Sequence, residues 1–485
     1  MLCVTGNEST IDVLASRLER AGSEDELDEV RFDALEPTDW QAALALVRRH
    51  ASRVVGCCRA RGDGGAFSGS PAQRVALLGE LAGCAPAAVD LEDTLADSAI
   101  AAVRAAIPSG AATRLVLSWH AWDRLPSAQE LRRRCAAMSR RGADVIKIAV
   151  PVDEPSELAS LLDLACFEGL PTVLIGMGSA GMLSRACYRR FGAPWTYVAA
   201  DEGRSTAPGQ FTRDQARALR LADVSDRPLL VLLGGPQVAE SPGPRVYNRL
   251  FQSRGSRLWY LAQETRELAP TVALLRQLGA RGASVTMPHK REALRLAGEG
   301  ADDLARRAAA ANTLRFESDG VALAGTNTDV VGVRHPLQRA LSQARGAATA
   351  ALILGAGGAA RAAAIACEQL GLDVTVAARR PQAARSFARA VHWDRRADVQ
   401  GAVLINATPI RGSEVSPWPD SAVLDDRAVV FDLALSAQPS LLITRARLAN
   451  AIAIDAEQMW LEQGAAQLRF LCGLSVDAAD LAQHR

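Results

Sequence analysis

Eight short apolar or β-branched runs recur through the first part of this 485-residue chain: Cys3-Val4, Glu29 to Asp33, Val54 to Arg59, Val89 to Glu92, Leu115 to His120, Val145 to Val150, Thr172 to Met177 and Tyr197 to Ala200. Between them lie stretches with helical apolar spacing, such as Val75 to Leu81 and Ala128 to Met138. A strand-helix unit repeated eight times predicts a (β/α)8 barrel, whose active site sits at the C-terminal ends of the strands. Those ends carry Glu29, Arg31, Arg59, Glu92, His120 and Lys147, with Arg185 just past the seventh run.

The pattern stops near Val224 to Pro228, and Leu229 to Leu233 opens a second architecture. There the run Ala350 to Leu354 leads straight into Gly355-Ala-Gly357-Gly358-Ala359-Ala360 and an alanine-rich helix. This is the strand-turn-helix context of a dinucleotide-binding motif, in which the helix N-terminus receives the pyrophosphate. Where the next run ends, at Ala378, an acidic residue would grip the ribose of NAD; Arg379 and Arg380 stand there instead, which favours a 2′-phosphate and NADP. A surface arginine pair is the alternative. The fold class is therefore α/β, a TIM barrel followed by a second unit containing a Rossmann lobe.

Length suits two or three domains. With 55 basic against 54 acidic side chains the net charge is +1, so no global field points to nucleic acid or anionic lipid as a partner. No apolar run reaches the roughly 18 residues of a membrane span. The start, Met1 to Gly6, lacks a charged segment followed by an apolar one, and a cytoplasmic location is expected. Nine irregularly spaced cysteines fit reduced thiols better than disulfides or a zinc site, and no metal is expected.

Only two of the basic residues, Lys147 and Lys290, are lysine. Arginine supplies positive charge equally well but cannot shed a proton near neutral pH or form an imine. A chain that avoids lysine keeps it where arginine fails, unless the two are chance survivors. Lys147 lies in Val145-Ile-Lys-Ile-Ala149, so the isoleucines share one face and the amine can point into the barrel, where desolvation would free it as a nucleophile. His120 ends the preceding strand; a lone histidine is more often a satisfied core residue, but this place, one strand before the lysine, favours catalysis.

At this point the residues resemble a family. Glu29-Val-Arg31, Arg59 before a Gly-rich stretch, Asp90-Leu-Glu92, Ser118-Trp-His120, Ile-Lys147-Ile and Ala207-Pro-Gly-Gln210 are similar to type I 3-dehydroquinate dehydratase over residues 1–222. The resemblance implies an imine between Lys147 and the C3 ketone of 3-dehydroquinate, with His120 removing the C2 proton and Glu92 orienting His120. Glu29, Arg31, Arg59, Arg185 and Gln210 would bind substrate, as would Thr206, which replaces the family's usual serine.

The second half resembles shikimate dehydrogenase through Ser284-Val-Thr286-Met-Pro-His-Lys290, Ala311-Asn312-Thr, Gly325-Thr-Asn-Thr-Asp329, Asn406-Ala-Thr408 and Glu462-Gln463-Gly, besides the glycine turn. That resemblance implies a substrate lobe of residues 229–331 and 456–485 around an NADP lobe of 332–455. Lys290 and Asp329 would form the catalytic pair, Ser241, Thr286, Asn312 and Gln463 would hold substrate, and Gly355, Gly357, Gly358, Ala359, Arg379, Arg380 and Thr408 the cofactor. Departures are Gly243 where a second clamp serine is usual, Tyr247 for histidine, Ser284 for asparagine and Leu435 for an aromatic residue. Losing a charged hydrogen bond costs roughly 1.5 to 3 kcal/mol, and glycine should open room near C1, where quinate carries a hydroxyl.

The leading expectation is a bifunctional shikimate-pathway enzyme acting on small molecules. It would dehydrate 3-dehydroquinate to 3-dehydroshikimate, then reduce that to shikimate with NADPH. The alternative is a working dehydratase whose second half prefers quinate and 3-dehydroquinate or only binds metabolites. The sequence leaves oligomeric state open.

Overall fold

The computed structural model describes residues 1–20, 26–204, 207, 209–223, 227–317, 323–344, 348–399, 401–424, 429–436 and 438–485. The chain forms two compact units, one of Met1–Arg227 with Gln263–Leu278, the other of Pro228–Ala262 with Gly279–Arg485. The helix Leu268–Gln277 thus groups with the first unit, although its sequence lies within the 229–331 segment.

Eight strands build the first unit: β1 (Leu2–Thr5), β2 (Glu26–Arg31), β3 (Val54–Cys57), β4 (Ala88–Glu92), β5 (Arg114–His120), β6 (Val145–Pro151), β7 (Thr172–Met177) and β8 (Thr196–Ala199). They pair in parallel in the order β7-β6-β5-β4-β3-β2-β1-β8, which makes a nearly closed barrel with β7 and β8 at the seam. One displacement separates expectation from structure. The second strand runs from Glu26 to Arg31, and Phe32–Ala34 is a 3-10 turn. Its acidic start is buried because Arg213 and Arg217 neutralise Glu26 and Arg17 neutralises Asp28. The intervening helices form where expected: Pro71–Ala82 begins with a reciprocal Ser70–Gln73 cap and proline in its first turn, the arrangement that satisfies orphan amides.

The second unit holds two sheets. The strands β9 (Leu229–Gly234), β10 (Trp259–Glu264), β11 (Ala280–Val285), β12 (Thr313–Phe316) and β13 (Leu323–Thr326) run in the order β10-β9-β11-β12-β13, parallel between β9 and β11 and antiparallel along β11-β12-β13. A six-stranded parallel sheet follows: β14 (Ala350–Leu354), β15 (Asp373–Ala378), β16 (Arg389–His392), β17 (Val403–Asn406), β18 (Val429–Asp432) and β19 (Ile452–Ile454), ordered β16-β15-β14-β17-β18-β19. Strand order reverses at β14, and the crevice beyond the strand ends there is where such sheets take a dinucleotide. The helix Gly358–Gln369 buries Ala360, Ala362, Ala363, Ala364 and Ala366, side chains small enough for close packing on the sheet. Helices Asp329–Gln343 and Ala456–Cys472 pack together at Gly332, where a Cβ would stand 2.8 Å from Gln463 Cβ and 2.9 Å from the Met459 carbonyl. Among the described residues no helix is long and apolar enough to cross a membrane.

Candidate active sites

Alternation along the barrel strands carries polar side chains inward. On β6, Lys147 is 4% exposed and its ammonium lies 2.8 Å from Asp90 Oδ2, 4.0 Å from Glu29 and 4.1 Å from the centre of the Tyr197 ring. Asp90, on β4, also receives Arg59 Nη2 at 2.8 Å and the Ser118 hydroxyl at 2.5 Å. Burial pushes the Asp90 carboxyl upward, but the charges of Arg59 and Lys147 prevail and hold it well below the usual carboxylate range. The other arm of Arg59 donates to His120 Nδ1 at 3.3 Å. Trp122 stacks on the imidazole, 5.6 Å between centres and 13° from parallel. Burial, then the neighbouring Arg59 and Lys147, drives the His120 pKa well below its ordinary value. The imidazole is therefore neutral at pH 7; with Nδ1 accepting from Arg59 its hydrogen sits on Nε2, so it acts as a general base at Nδ1 only when that contact opens.

The pocket around these groups is lined by Glu29, Arg31, Arg59, His120, Lys147, Arg185 and Gln210, seven of the residues singled out from sequence. Arg31 is held by both oxygens of Asp33, at 3.0 and 2.6 Å. Arg185 is 2% exposed, its Nε and Nη2 have no partner among the described residues, and burial alone pulls its pKa down to about 10. A buried guanidinium with free donors facing a pocket is built to receive a carboxylate. Thr206 lies outside the described residues.

Glu92 is placed differently from expectation. It accepts the Ala60 amide at 2.9 Å and pairs with Arg74 at 3.0 Å, and among the described residues it makes no hydrogen bond to His120. The contact to the imidazole comes from Arg59, itself held by Asp90. Asp90 and Ser118 stood in the quoted motifs without a role; their two-residue spacing from Glu92 and His120 put them on the same inward faces.

In the second unit Lys290 begins the helix Lys290–Ala297, Asp329 begins Asp329–Gln343, and their side chains meet at 2.6 Å. The Asn312 amide donates to Asp329 Oδ1 at 2.9 Å and to Thr328 Oγ1 at 3.0 Å, and the Thr328 hydroxyl reaches Gln463 at 3.3 Å. Thr328, not singled out from sequence, thus links Asn312 to Gln463. Thr286 follows β11 directly, its amide bonded to the Leu233 carbonyl at 2.9 Å. Ser241 accepts the Gly243 amide at 3.2 Å. The room expected beside Gly243 is absent: a Cβ there would lie 3.3 Å from both Ser241 Oγ and Tyr260 Cε1, because the ring of β10 fills the space. The Tyr260 hydroxyl donates to Ser284 at 2.8 Å, Tyr247 stacks on Trp460, and Leu435 is exposed.

The cofactor residues also converge. Gly355 has φ +107°, open to glycine, and a Cβ there would meet the Ala407 carbonyl at 2.9 Å and Thr408 Cγ2 at 3.2 Å. A Cβ on Gly357 or Gly358 would meet nothing within 4 Å, which leaves open space at the N-terminus of the helix that Ala359 continues. Arg379 and Arg380 are exposed beyond β15, and among the described residues neither is paired with a carboxylate. Space at a helix N-terminus with unpaired arginines nearby fits a dinucleotide bearing an extra phosphate.

Residues 2–224 match the family model for type I 3-dehydroquinase, and residues 233–314 match that for the shikimate dehydrogenase substrate binding domain. The bifunctional 3-dehydroquinate dehydratase/shikimate dehydrogenase of Arabidopsis thaliana, described as chloroplastic, is 26% identical over 98% of this chain and 82% of its own length. The NADP(+) shikimate dehydrogenase of Syntrophobacter fumaroxidans is 33% identical over 50% of this chain and 86% of its own. The shikimate 5-dehydrogenase of Thermus thermophilus, solved with NADP(H) and shikimate, is 28% identical over 53% of this chain and 98% of its own, with a TM-score of 0.48. The chain belongs to the shikimate dehydrogenase family through its second half and carries a type I 3-dehydroquinase domain ahead of it.

Proposed function

We propose that the chain performs two consecutive reactions, dehydration of 3-dehydroquinate to 3-dehydroshikimate by residues 1–222 and NADPH-dependent reduction of that product to shikimate by residues 229–331 with 456–485 and the cofactor lobe 332–455. The observation that carries this reading is the setting of the two lysines: each faces a carboxylate, at 2.8 Å in one site and 2.6 Å in the other, among groups suited to ketone chemistry.

In the barrel Lys147 gives one proton to His120, the freed amine attacks the C3 ketone, and the carbonyl oxygen leaves as water carrying one proton from the amine and the one held by His120, which produces a protonated imine. This acidifies C2, from which His120 removes a proton; the resulting enamine expels the C1 hydroxyl, which takes a proton and departs as water. Hydrolysis of the imine returns the amine and frees the enone. Arg185 holds the substrate carboxylate, and Glu29, Arg31, Arg59 and Gln210 the ring oxygens. In the second unit NADPH, which Gly355, Gly357, Gly358, Ala359, Arg379, Arg380 and Thr408 would hold, would supply a hydride. Lys290 gives a proton to the forming alkoxide, Asp329 keeps that amine oriented, and Asn312, Thr286, Gln463 and Ser241 hold the ring and carboxylate. Substrate-sized small molecules are the partners, and a cytoplasmic setting agrees with cysteines that are all free thiols.

The test is twofold on one preparation. The conjugated enone should appear from 3-dehydroquinate without NADPH, and NADPH absorbance should fall when 3-dehydroshikimate is supplied. Enone formation without any NADPH consumption would remove the second activity; the reverse would remove the first.

A further inference from the structure

We propose that Asp90 is the positioning residue of the barrel site, one carboxylate that aims the Lys147 amine directly and the His120 ring through Arg59. This rests on the imine reading above and adds to it the group that holds the two reacting side chains in register.

Asp90 is 2% exposed and three of its roughly four acceptor sites are filled: Oδ2 receives Lys147 and Arg59 at 2.8 Å each, and Oδ1 receives Ser118 at 2.5 Å. It is buried behind the residues that line the pocket and is not one of them. Glu29 is the other carboxylate near the amine, but it stands at 4.0 Å and accepts the Thr5 hydroxyl at 2.5 Å. Arg59 can only donate, so in the free enzyme its 3.3 Å contact occupies the one lone pair of the neutral ring, at Nδ1, and sets the tilt of the imidazole; the contact opens for Nδ1 to take the C2 proton. Glu92, committed to Arg74, does not substitute.

The nitrogen keeps a hydrogen for Asp90 at each stage. A neutral amine that donates one N–H to Oδ2 turns its lone pair away from the carboxylate and toward the pocket. Attack makes the carbon-nitrogen bond while the carbonyl pair moves to oxygen, which takes the proton the nitrogen sheds and a second one from His120, the proton His120 first drew from the Lys147 ammonium. As water leaves, the nitrogen pair closes the double bond, and the one remaining N–H, now on a cation, still faces Oδ2. The same contact thus serves amine and iminium without rearrangement, which is what preorganisation requires.

The test uses the full chain, with NADPH-dependent reduction of supplied 3-dehydroshikimate as the measure of folded enzyme. Asp90→Asn places an amide donor against Arg59 or Lys147, and the expected result is a kcat for dehydration lowered about 100-fold at a KM within about threefold, since misplacement of reacting groups by an ångström costs that much. Borohydride trapping of 3-dehydroshikimate on the barrel should slow in parallel. An Asp90→Asn chain that traps at the wild-type rate, or whose loss is confined to KM, overturns the proposal. If Asp90→Asn also loses the reduction reading, Ser118→Ala decides: it frees one oxygen of Asp90, and a kcat down about three- to tenfold at unchanged KM is expected, whereas unchanged kcat overturns the proposal. A wild-type chain that dehydrates substrate yet traps nothing overturns the imine reading itself, a distinct result.

Discussion

Arg185 shows how a single side chain can be costly to the fold and valuable to the site. A buried cation whose Nε and Nη2 have no partner among the described residues is held at a desolvation cost, repaid when an anion arrives. Arg185→Met is therefore expected to leave Tm unchanged or raise it, while KM for 3-dehydroquinate rises roughly 10- to 100-fold through the lost charged hydrogen bonds; thermal unfolding and initial rates read the two effects separately. His120 gives the pH dependence. Its folded pKa lies below 6.5, so the imidazole stays neutral, and able to accept a proton, as pH falls through 6.5. The dehydration kcat should consequently stay level between pH 7 and about 6; a decline centred at about 6.5 would mean an exposed, unperturbed histidine. The linked effect on stability has the opposite sense: the unfolded chain takes up a proton near pH 6.5 that the folded one refuses, so stability falls as pH drops below that point.

At the scale of elements, the glycine turn after β14 separates two kinds of requirement. Gly355→Ala forces a Cβ into a left-handed residue against the Ala407 carbonyl and should cost about 1 to 3 kcal/mol of stability. Gly357→Ala meets open space, so Tm should hold while KM for NADPH rises, because the added methyl occupies room the pyrophosphate needs. Replacing Arg379 and Arg380 with alanine together should lower kcat/KM for NADPH about 100-fold and change that for NADH by no more than about twofold, as two charged contacts to the 2′-phosphate vanish. Strands with apolar cores, the glycine turn and the two lysines were legible from local sequence because each is marked by a periodicity or a residue type with few substitutes. Other features depend on partners distant along the chain. Glu26 and Asp28 lie outside the run Glu29 to Asp33 and join the strand because Arg213, Arg217 and Arg17 are placed on them. The roles of Asp90 and Glu92 could be told apart only once Lys147 and Arg74 had each claimed one of them. The space beside Gly243 looked empty because Tyr260, on another strand, fills it.

Over the whole molecule, the order of the halves matches the order of the chemistry, since the ketone left by water loss in the first is the one reduced in the second. Each half nevertheless contains its own complete polar constellation, Lys147 with Asp90, Arg59 and His120 in one unit and Lys290 with Asp329, Asn312 and Gln463 in the other. The activities should therefore be separable by single substitutions. The direct measurement is a coupled assay from 3-dehydroquinate with NADPH, run on Lys147→Arg and Lys290→Arg, with 3-dehydroshikimate also supplied separately. Lys147→Arg should form no enone yet reduce added 3-dehydroshikimate at the wild-type rate, and Lys290→Arg should form enone and leave NADPH untouched. Turnover that survives either substitution in its own half would contradict the assignment of an indispensable amine to each site.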